Sequence, residues 1–235
     1  PATQRQRGNI GAVPHMPFDE AFRVVKLDDT HWAGAHPLKL PIAGARGVYG
    51  GHICAQALLV GLESSPGFVM HSLHSHFVRA GIHKVVCDYE VQVLAESKSY
   101  VRKQILVRQS TRLKPSRIIY NCMVSLVKPG AKDSIDLFQR DIPKNFVSRH
   151  PDPDALTVVN HTGWVKNAFT EEFLDYRKCP EENSQAYSER WMTLYSGLNE
   201  KESFKDPKFN YVGLGCISDS ALLTAKARIM HLPWN

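Results

Sequence analysis

One carboxylate stands out in the C-terminal part of the sequence because it lies in an apolar segment. Asp219 precedes Leu222 and Leu223 in the stretch ISDSALL, and a carboxylate in such surroundings must face water or be satisfied by partners. In the first turn of a helix it can accept backbone N–H groups as a cap. Beside a cavity it can act as a general base that takes a proton from water. The residues alone favour the cap.

Glycines open both of the helices that the sequence predicts. Gly50 and Gly51 stand at the start of the first, and Gly213 and Gly215 at the start of the second. Backbone N–H groups at a helix N-terminus can stabilise negative charge that develops on an oxygen atom. Glycine serves tight packing between a helix and a sheet equally well, so both interpretations stay open.

Three histidines, His71, His74 and His76, lie on one predicted strand. At a spacing of two, His74 and His76 share a face of that strand, as the ligands of a zinc ion can. No nearby Cys, Asp or Glu offers a recognisable spacing for the remaining ligands that zinc needs. We therefore expect no metal and no cofactor, and interpret the histidines as residues that line the sheet or lie beside a substrate.

Covalent catalysis is not indicated by any motif. The sequence contains neither Gly-x-Ser-x-Gly nor a recognisable Cys–His or Ser–His–acid signature. The cysteines are odd in number, dispersed and mostly set among apolar residues, which is typical of reduced thiols in an intracellular compartment. They are Cys54, Cys87, Cys122, Cys179 and Cys216.

The elements that must position these residues are most legible between residues 46 and 128. A helix from His52 to Glu63 is apolar nearly all round, which is typical of a buried helix, and the turn residues Ser64 to Gly67 end it. Four segments with strand character follow, and their short links predict antiparallel neighbours. These are Val69 to Arg79, Lys84 to Leu94, Tyr100 to Gln109 and Arg117 to Val127. A helix wrapped by such a sheet is the hotdog fold.

The pattern then begins a second time. A segment rich in Pro, Asp and Lys is predicted to be a surface linker. Beyond this linker, Ser220-Ala221-Leu222-Leu223 aligns with Gln56-Ala57-Leu58-Leu59 of the first helix, which indicates a degenerate repeat. The new elements are strands at Phe173 to Arg177 and Arg190 to Tyr195, followed at Phe209 to Lys226 by a glycine-containing entry (Tyr211, Gly213, Gly215) into an apolar helix. The fold class is therefore α+β, a double hotdog with an N-terminal unit at 18–128, a linker at 129–170 and the first part of a C-terminal unit at 171–235. We expect the second hotdog to be incomplete in this chain.

Composition narrows the class of protein. The chain has 235 residues, of which 43% are hydrophobic and 22% charged, as is ordinary for a soluble globular protein. No apolar run approaches the roughly 18–20 residues that a membrane-spanning helix needs. The net charge of +6 favours an anionic partner, but the basic residues are scattered and predict no nucleic-acid surface. A small molecule that bears phosphate groups fits as well.

Four segments resemble a known family of enzymes. They are GVYGGHICAQAL (Gly47 to Leu58), HSLHSHFVRAG (His71 to Gly81), YEVQVLAESKSYVRKQILVRQ (Tyr89 to Gln109) and FNYVGLGCISDSALL (Phe209 to Leu223). Together they resemble the type II acyl-CoA thioesterases of bacteria and peroxisomes, and the last segment is most similar to fungal members. The resemblance covers the chain from about Phe22 to Asn235.

The resemblance implies hydrolysis of fatty acyl-CoA to a free fatty acid and CoA by a water molecule that an aspartate activates. That aspartate falls on Asp219, which makes catalysis a better interpretation than a cap. The threonine or serine and the glutamine that complete the site lie later in the family, so we expect the chain as given to lack them. Gly50, Gly51, His76 and Gly215 are the candidate substrate-binding residues.

The resemblance also implies a homo-oligomer, either a dimer or a tetramer, in the peroxisomal matrix, with the cytoplasm as the alternative location. Two other functions stay open. One is a non-catalytic module that binds acyl-CoA. The other is a hotdog enoyl-CoA hydratase or dehydratase, which would pair an aspartate with a histidine, whereas no histidine lies within the ten residues after Asp219.

Overall fold

Two antiparallel sheets and three α-helices make up the part of the chain that the computed structural model describes, which is residues 16–41, 43–131, 157–162, 165–175, 188–198 and 204–220. In chain order they are α1 (Phe18–Phe22), β1 (Val24–Lys26), β2 (His31–Gly34), α2 (Gly50–Glu63), β3 (Val69–Phe77), β4 (Asp88–Glu96), β5 (Tyr100–Thr111), β6 (Lys114–Val127), β7 (Thr157–Thr162), β8 (Val165–Asp175), β9 (Ser188–Leu198) and α3 (Lys208–Ile217). The predicted α+β class is confirmed.

The centre of the N-terminal unit is α2, which begins at Gly50, slightly before the predicted start at His52. Every residue from Gly51 to Leu62 is buried, so the prediction of a buried helix is confirmed. Each large apolar side chain buried in this way contributes about 1.5–3 kcal/mol. At the other end, Lys103 Nζ donates to the carbonyl oxygen of Ser64 at 2.5 Å and so places a positive charge at the negative end of the helix.

The six-stranded sheet has the order β1-β2-β4-β5-β6-β3, and all its pairs are antiparallel. Successive strands pair from β4 through β6, as the short links predict. The prediction is wrong for β3 and β4, because β3 pairs with β6. Residues 78–87 carry the chain across to the other part of the sheet. The backbone N–H groups of Val78 and Arg79 donate to the carbonyl oxygen of Ile119, and that of Val48 to Gly81, which fixes the start of this crossing segment beside α2.

One face of the sheet closes over α2. On β5, Val101, Ile105 and Val107 are buried and alternate with more exposed neighbours, the period of two that a half-buried strand shows. On β4, Tyr89 and Val91 are buried in the same alternating way. Val93 instead is 53% exposed, and a bulge interrupts the pairing with β5 directly after it.

A polar residue inside α2 ties the N-terminal segment to the core. Gln56 is fully buried. Its Nε2 donates to the carbonyl oxygen of Phe22 at 3.2 Å, and Tyr89 Oη donates to its Oε1 at 2.5 Å. A Cβ atom at Gly34 would lie 2.9 Å from the same amide oxygen, so β2 approaches the helix this closely only because glycine has no side chain.

The three-stranded sheet has the order β7-β8-β9 and is also antiparallel. Residues 129–170 are predicted to be a linker. The first strand of this sheet and most of the second lie inside that range, and strand structure begins at Thr157. The predicted strands at 173–177 and 190–195 fall at the end of β8 and within β9. Residues 176–177 lie outside the described residues, as does Cys179.

The second predicted helix differs from the structure at both of its glycines. Gly213 and Gly215 lie inside α3 and not in a turn before it. A Cβ atom at Gly213 would meet a Leu198 side chain, and one at Gly215 would lie 3.5 Å from the Cα atom of Ala55 in α2. Both glycines therefore serve close packing. The helix ends at Ile217, and residues 221–226 of the prediction lie outside the described residues.

Replacing Gln56 with leucine is expected to lower the free energy of unfolding by about 2–3 kcal/mol, because the buried Tyr89 hydroxyl and Phe22 carbonyl groups would lose their partner. Chemical denaturation measures the change. Gln92→Leu, on the exposed part of β4, is the control and should change the stability by less than about 0.5 kcal/mol. Equal losses in the two variants would contradict the proposed role of Gln56.

Candidate functional site

A cleft of about 400 Å³ opens where α2, β3 and the turn after α3 meet. Its walls come from the residues before and inside the start of α2, from the end of β3 with the crossing segment, and from the turn. They are Val48, Gly50, Ile53, Phe77, Val78, Arg79, Ala80, Gly81 and Asp219. Seven of these nine residues are apolar or glycine, and the other two are one acid and one base, although polar and apolar atoms share the exposed wall about equally.

Asp219 lies in the turn directly after α3 and reaches the N-terminus of α2. Its carboxylate lies beside the first turn of α2, where the backbone N–H of Gly51 favours the ionised form of the acid. A Cβ atom at Gly50 would collide with Asp219 Oδ2, so glycine at this position lets the carboxylate come close. Asp219 therefore lies at the N-terminus of α2, the helix of the first repeat.

The cleft changes the acidity of Asp219. Burial raises the pKa of its carboxyl group, and the backbone N–H of Gly51 opposes that rise. Solvent still reaches the residue. A carboxylate with a raised pKa that remains accessible binds a proton more readily at neutral pH than an ordinary aspartate, which suits a general base.

Neutral hydroxyl and thiol groups surround the carboxylate. Burial, together with the charge of Asp219, raises the pKa of Tyr49. Burial, with Cys54 and Asp219 nearby, raises the pKa of Cys216 to about 12, and burial raises that of Cys54 as well. The nucleophilic form of cysteine is the thiolate, so these two cysteines are poor nucleophiles at neutral pH.

Of the other candidate site residues predicted from the sequence, some lie at the cleft and others lie away from it. Gly50 lies on the cleft wall. The backbone N–H of Gly51 favours ionisation of Asp219, and Gly50 is the member of the pair that lies on the cleft wall. Gly215 packs against α2 at Ala55, and His76 is exposed on β3 opposite Asn121. Neither Gly215 nor His76 is among the cleft residues.

Within the described ranges, no group of three His, Cys, Asp or Glu side chains is placed to hold a metal ion. The same part of the chain contains no helix long and apolar enough to cross a membrane.

Sequence reasoning missed the contribution of the crossing segment. One wall of the cleft is formed by Phe77, Val78, Arg79, Ala80 and Gly81. None of these residues is among the site residues predicted from the sequence. The available signal was the stretch HSHFVRAG, which is one of the segments that resemble the family. Strand periodicity could not reveal it, because these residues lie where the strand pattern ends.

No model of a known protein family matches the chain. Among curated proteins it is similar to the peroxisomal acyl-coenzyme A thioester hydrolase 1 of Saccharomyces cerevisiae, with 26% identity over 162 residues. This match covers 68% of the chain and 43% of the yeast protein. The chain thus spans less than half the length of the curated relative that it matches.

Solved structures show the same fold. A tesB protein from Mycobacterium avium subs paratuberculosis has a TM-score of 0.60 at 18% identity, over 90% of this chain and 72% of its own. The acyl-CoA thioesterase II TesB2 of Mycobacterium marinum has a TM-score of 0.59 at 17% identity, over 89% and 69%. A conserved protein with a hot dog fold from Alicyclobacillus acidocaldarius has a TM-score of 0.57 at 14% identity, over 93% and 74%. The predicted hotdog fold is confirmed.

The raised pKa of Asp219 predicts a pH-dependent stability. Ionised Asp219 is less favourable in the folded chain than in the unfolded one, so its penalty appears as the pH rises through the folded pKa and is absent below the unfolded value. Asp219→Asn retains an oxygen acceptor for Gly51 N–H. It is expected to raise the free energy of unfolding at pH 7 by up to about 1 kcal/mol, given solvent screening, and to have no effect near pH 3.

Asp206→Asn provides a control of opposite sign. The hydrogen bond from Lys208 lowers the pKa of Asp206, with 2.6 Å between Nζ and Oδ2. Asp206 therefore contributes stability above its unfolded pKa, which is lost as the pH falls through its folded pKa. Denaturant titrations between pH 3 and pH 8 compare the two variants. A stability of Asp219→Asn below that of the wild type at pH 7 would contradict the desolvation of Asp219.

Proposed function

Because the chain is related to the type II acyl-CoA thioesterases, we propose that the protein hydrolyses fatty acyl-CoA to a free fatty acid and CoA. The observation that carries this proposal is the position of Asp219. A carboxylate whose pKa is raised by burial stands in a cleft lined mainly by apolar residues and glycine, beside thiols that burial keeps neutral. This arrangement favours attack by water over attack by a side chain.

In the proposed reaction, Asp219 takes a proton from a water molecule while the oxygen of that water bonds to the thioester carbon. The tetrahedral intermediate then loses its C–S bond. The proton on Asp219 passes to the departing thiolate, which leaves the fatty acid and the free thiol of CoA. Gly50, at the positive end of α2, is the candidate donor to the oxyanion.

The cleft walls suit the acyl part of the ligand. Val48, Ile53 and Phe77 offer apolar surface directly beside Asp219, so an acyl chain can pack there while its thioester reaches the carboxylate. The hydroxyl and amide side chains that the family resemblance implies are not assigned to residues of this chain.

We also propose a peroxisomal location and a homo-oligomeric state. The name of the yeast relative places that protein in peroxisomes, and the cytoplasm is the alternative for this one. Imaging of a fluorescent fusion in cells with a peroxisomal marker tests the location. Light scattering on the purified protein tests the oligomeric state, and a monomer at micromolar concentration would reject it.

Asp219→Asn is expected to lower kcat for acyl-CoA hydrolysis by about 10²–10⁴-fold, because the amide cannot accept the proton from water. A thiol-reactive dye measures the release of CoA by the full-length protein over a series of acyl lengths. Asp29→Asn is the control, since that side chain is 97% exposed on the surface, and it should leave turnover unchanged. Turnover of Asp219→Asn like that of the wild type would remove Asp219 from the mechanism.

The same assay separates the alternative functions. A hydratase converts an enoyl-CoA without releasing thiol, and a non-catalytic module binds acyl-CoA without any turnover. Absence of thiol release from every acyl-CoA, combined with measurable binding of the ligand by calorimetry, would favour the binding module over the thioesterase.

A further inference from the structure

Phe77, at the end of β3, is unusually exposed for a large aromatic side chain. Its side chain is 54% exposed although it is large, aromatic and part of the cleft wall. Within the described ranges it is the only aromatic residue among the exposed large hydrophobic side chains. An aromatic side chain left open on the wall of a cleft is available to a ligand.

The ring of Phe77 is held in place from two sides. Across the strand pair, Phe77 lies opposite Tyr120, and the two ring centroids are 5.1 Å apart. On the helix side, a Cβ atom at Gly50 would lie 2.8 Å from Phe77 Cε1 and 2.9 Å from Cζ, and it would also collide with Asp219 Oδ2. The ring edge and the carboxylate therefore converge above the Cα atom of Gly50.

Because the ring and the carboxylate both approach Gly50, the ring can act on the carboxylate in two ways. The ring occupies space from which water would otherwise solvate Asp219, and removal of water disfavours the charged form. The ring edge carries the positive part of the aromatic quadrupole, so it can lie against a carboxylate without repelling it. Phe77 can thus shield Asp219 from water and fix its position at the same time.

Other groups around Asp219 bear on its protonation. From α2, Gly51 N–H favours the ionised form. Within the part of the chain that the structure describes, the other titratable or charged groups near the carboxylate or on the cleft wall are Tyr49, Cys54, Cys216 and Arg79. The tyrosine and the cysteines are neutral at pH 7 because burial raises the pKa of each. Arg79 donates from Nη1 to the carbonyl oxygen of Ile118 at 3.0 Å, which directs part of its guanidinium group to the backbone of β6.

We propose that Phe77 is a positioning residue for Asp219, whose ring shields the carboxylate from water and holds it beside the thioester. The ring also gives the ligand an aromatic surface next to the reacting carbonyl. This inference rests on the proposed thioesterase function for its kinetic part, whereas its effect on the protonation of Asp219 is a property of the protein alone.

The test replaces Phe77 with alanine and, separately, with leucine. In Phe77→Ala the acid limb of the kcat/KM profile is expected to move to lower pH, because water can solvate the ionised carboxylate. At pH 7, kcat/KM should fall by about 10-fold as the aromatic contact is lost. Phe77→Leu, which keeps much of the apolar volume, should shift both quantities in the same direction but by less. Val93→Ala is the control, since Val93 is 53% exposed on β4 and lies outside the cleft.

A second readout does not depend on catalysis. Carbon-13 NMR of protein labelled at aspartate carboxyl groups, with Asp219→Asn to assign the signal, reports the titration of Asp219 directly. A lower titration midpoint in Phe77→Ala than in the wild type supports the role of Phe77. If the alanine variant does not fold, the leucine variant decides by the same comparison.

The outcomes separate the two proposals. If Asp219 titrates at the same pH in the wild type and in the folded Phe77 variants, the role of Phe77 is overturned, even when the protein hydrolyses acyl-CoA. If the wild type releases no thiol, the proposed function fails, and the NMR titration still decides whether Phe77 shields Asp219. A shift of equal size in Val93→Ala would also overturn the inference, since that residue lies away from the carboxylate.

Discussion

The close approach of α3 to the start of α2 is the constraint on which the site depends. It is possible because glycine stands wherever the two helices and the Asp219 turn would otherwise collide. Gly215 lies against the backbone of α2, a side chain at Gly51 would strike the backbone at Cys216, and a side chain at Gly50 would displace the Asp219 carboxylate. A side chain at Gly50 or Gly51 would push the carboxylate, or the end of α3 that carries it, away from the helix N-terminus.

Because α3 comes so close to the start of α2, two opposing effects act on the Asp219 carboxylate. Burial disfavours its charged form, whereas the Gly51 N–H and the positive end of a long helix favour it. The balance leaves the pKa of Asp219 raised, so the folded chain holds at the cleft, in a position open to solvent, an acid that is less stable ionised than it would be in water. A group held in this way lowers stability and raises basicity together, as is common at functional sites.

The order of the sheet explains why the cleft exists. Because β3 pairs with β6 and not with β4, the chain must cross from one part of the sheet to another through residues 78–87. Backbone hydrogen bonds join the start of that crossing segment to β6 and to Val48, the residue before Tyr49. A simple meander would have replaced this segment with a tight turn, and Phe77 and Arg79 would have no cleft to line.

The sequence by itself determined the buried helix, the strands from β4 to β6 and the unusual setting of Asp219, because local periodicity and one acid in an apolar segment are visible without coordinates. It could not determine the partner of β3, the early start of the second sheet or the helix whose N-terminus Asp219 approaches. Gly213 and Gly215 could equally have been a turn before a helix, and only their contacts with Leu198 and Ala55 identify them as packing residues. Those features depend on contacts between residues far apart in the chain. Strand pairing decides the partner of β3 and the start of the second sheet, and the packing of α3 against α2 decides where Asp219 lies.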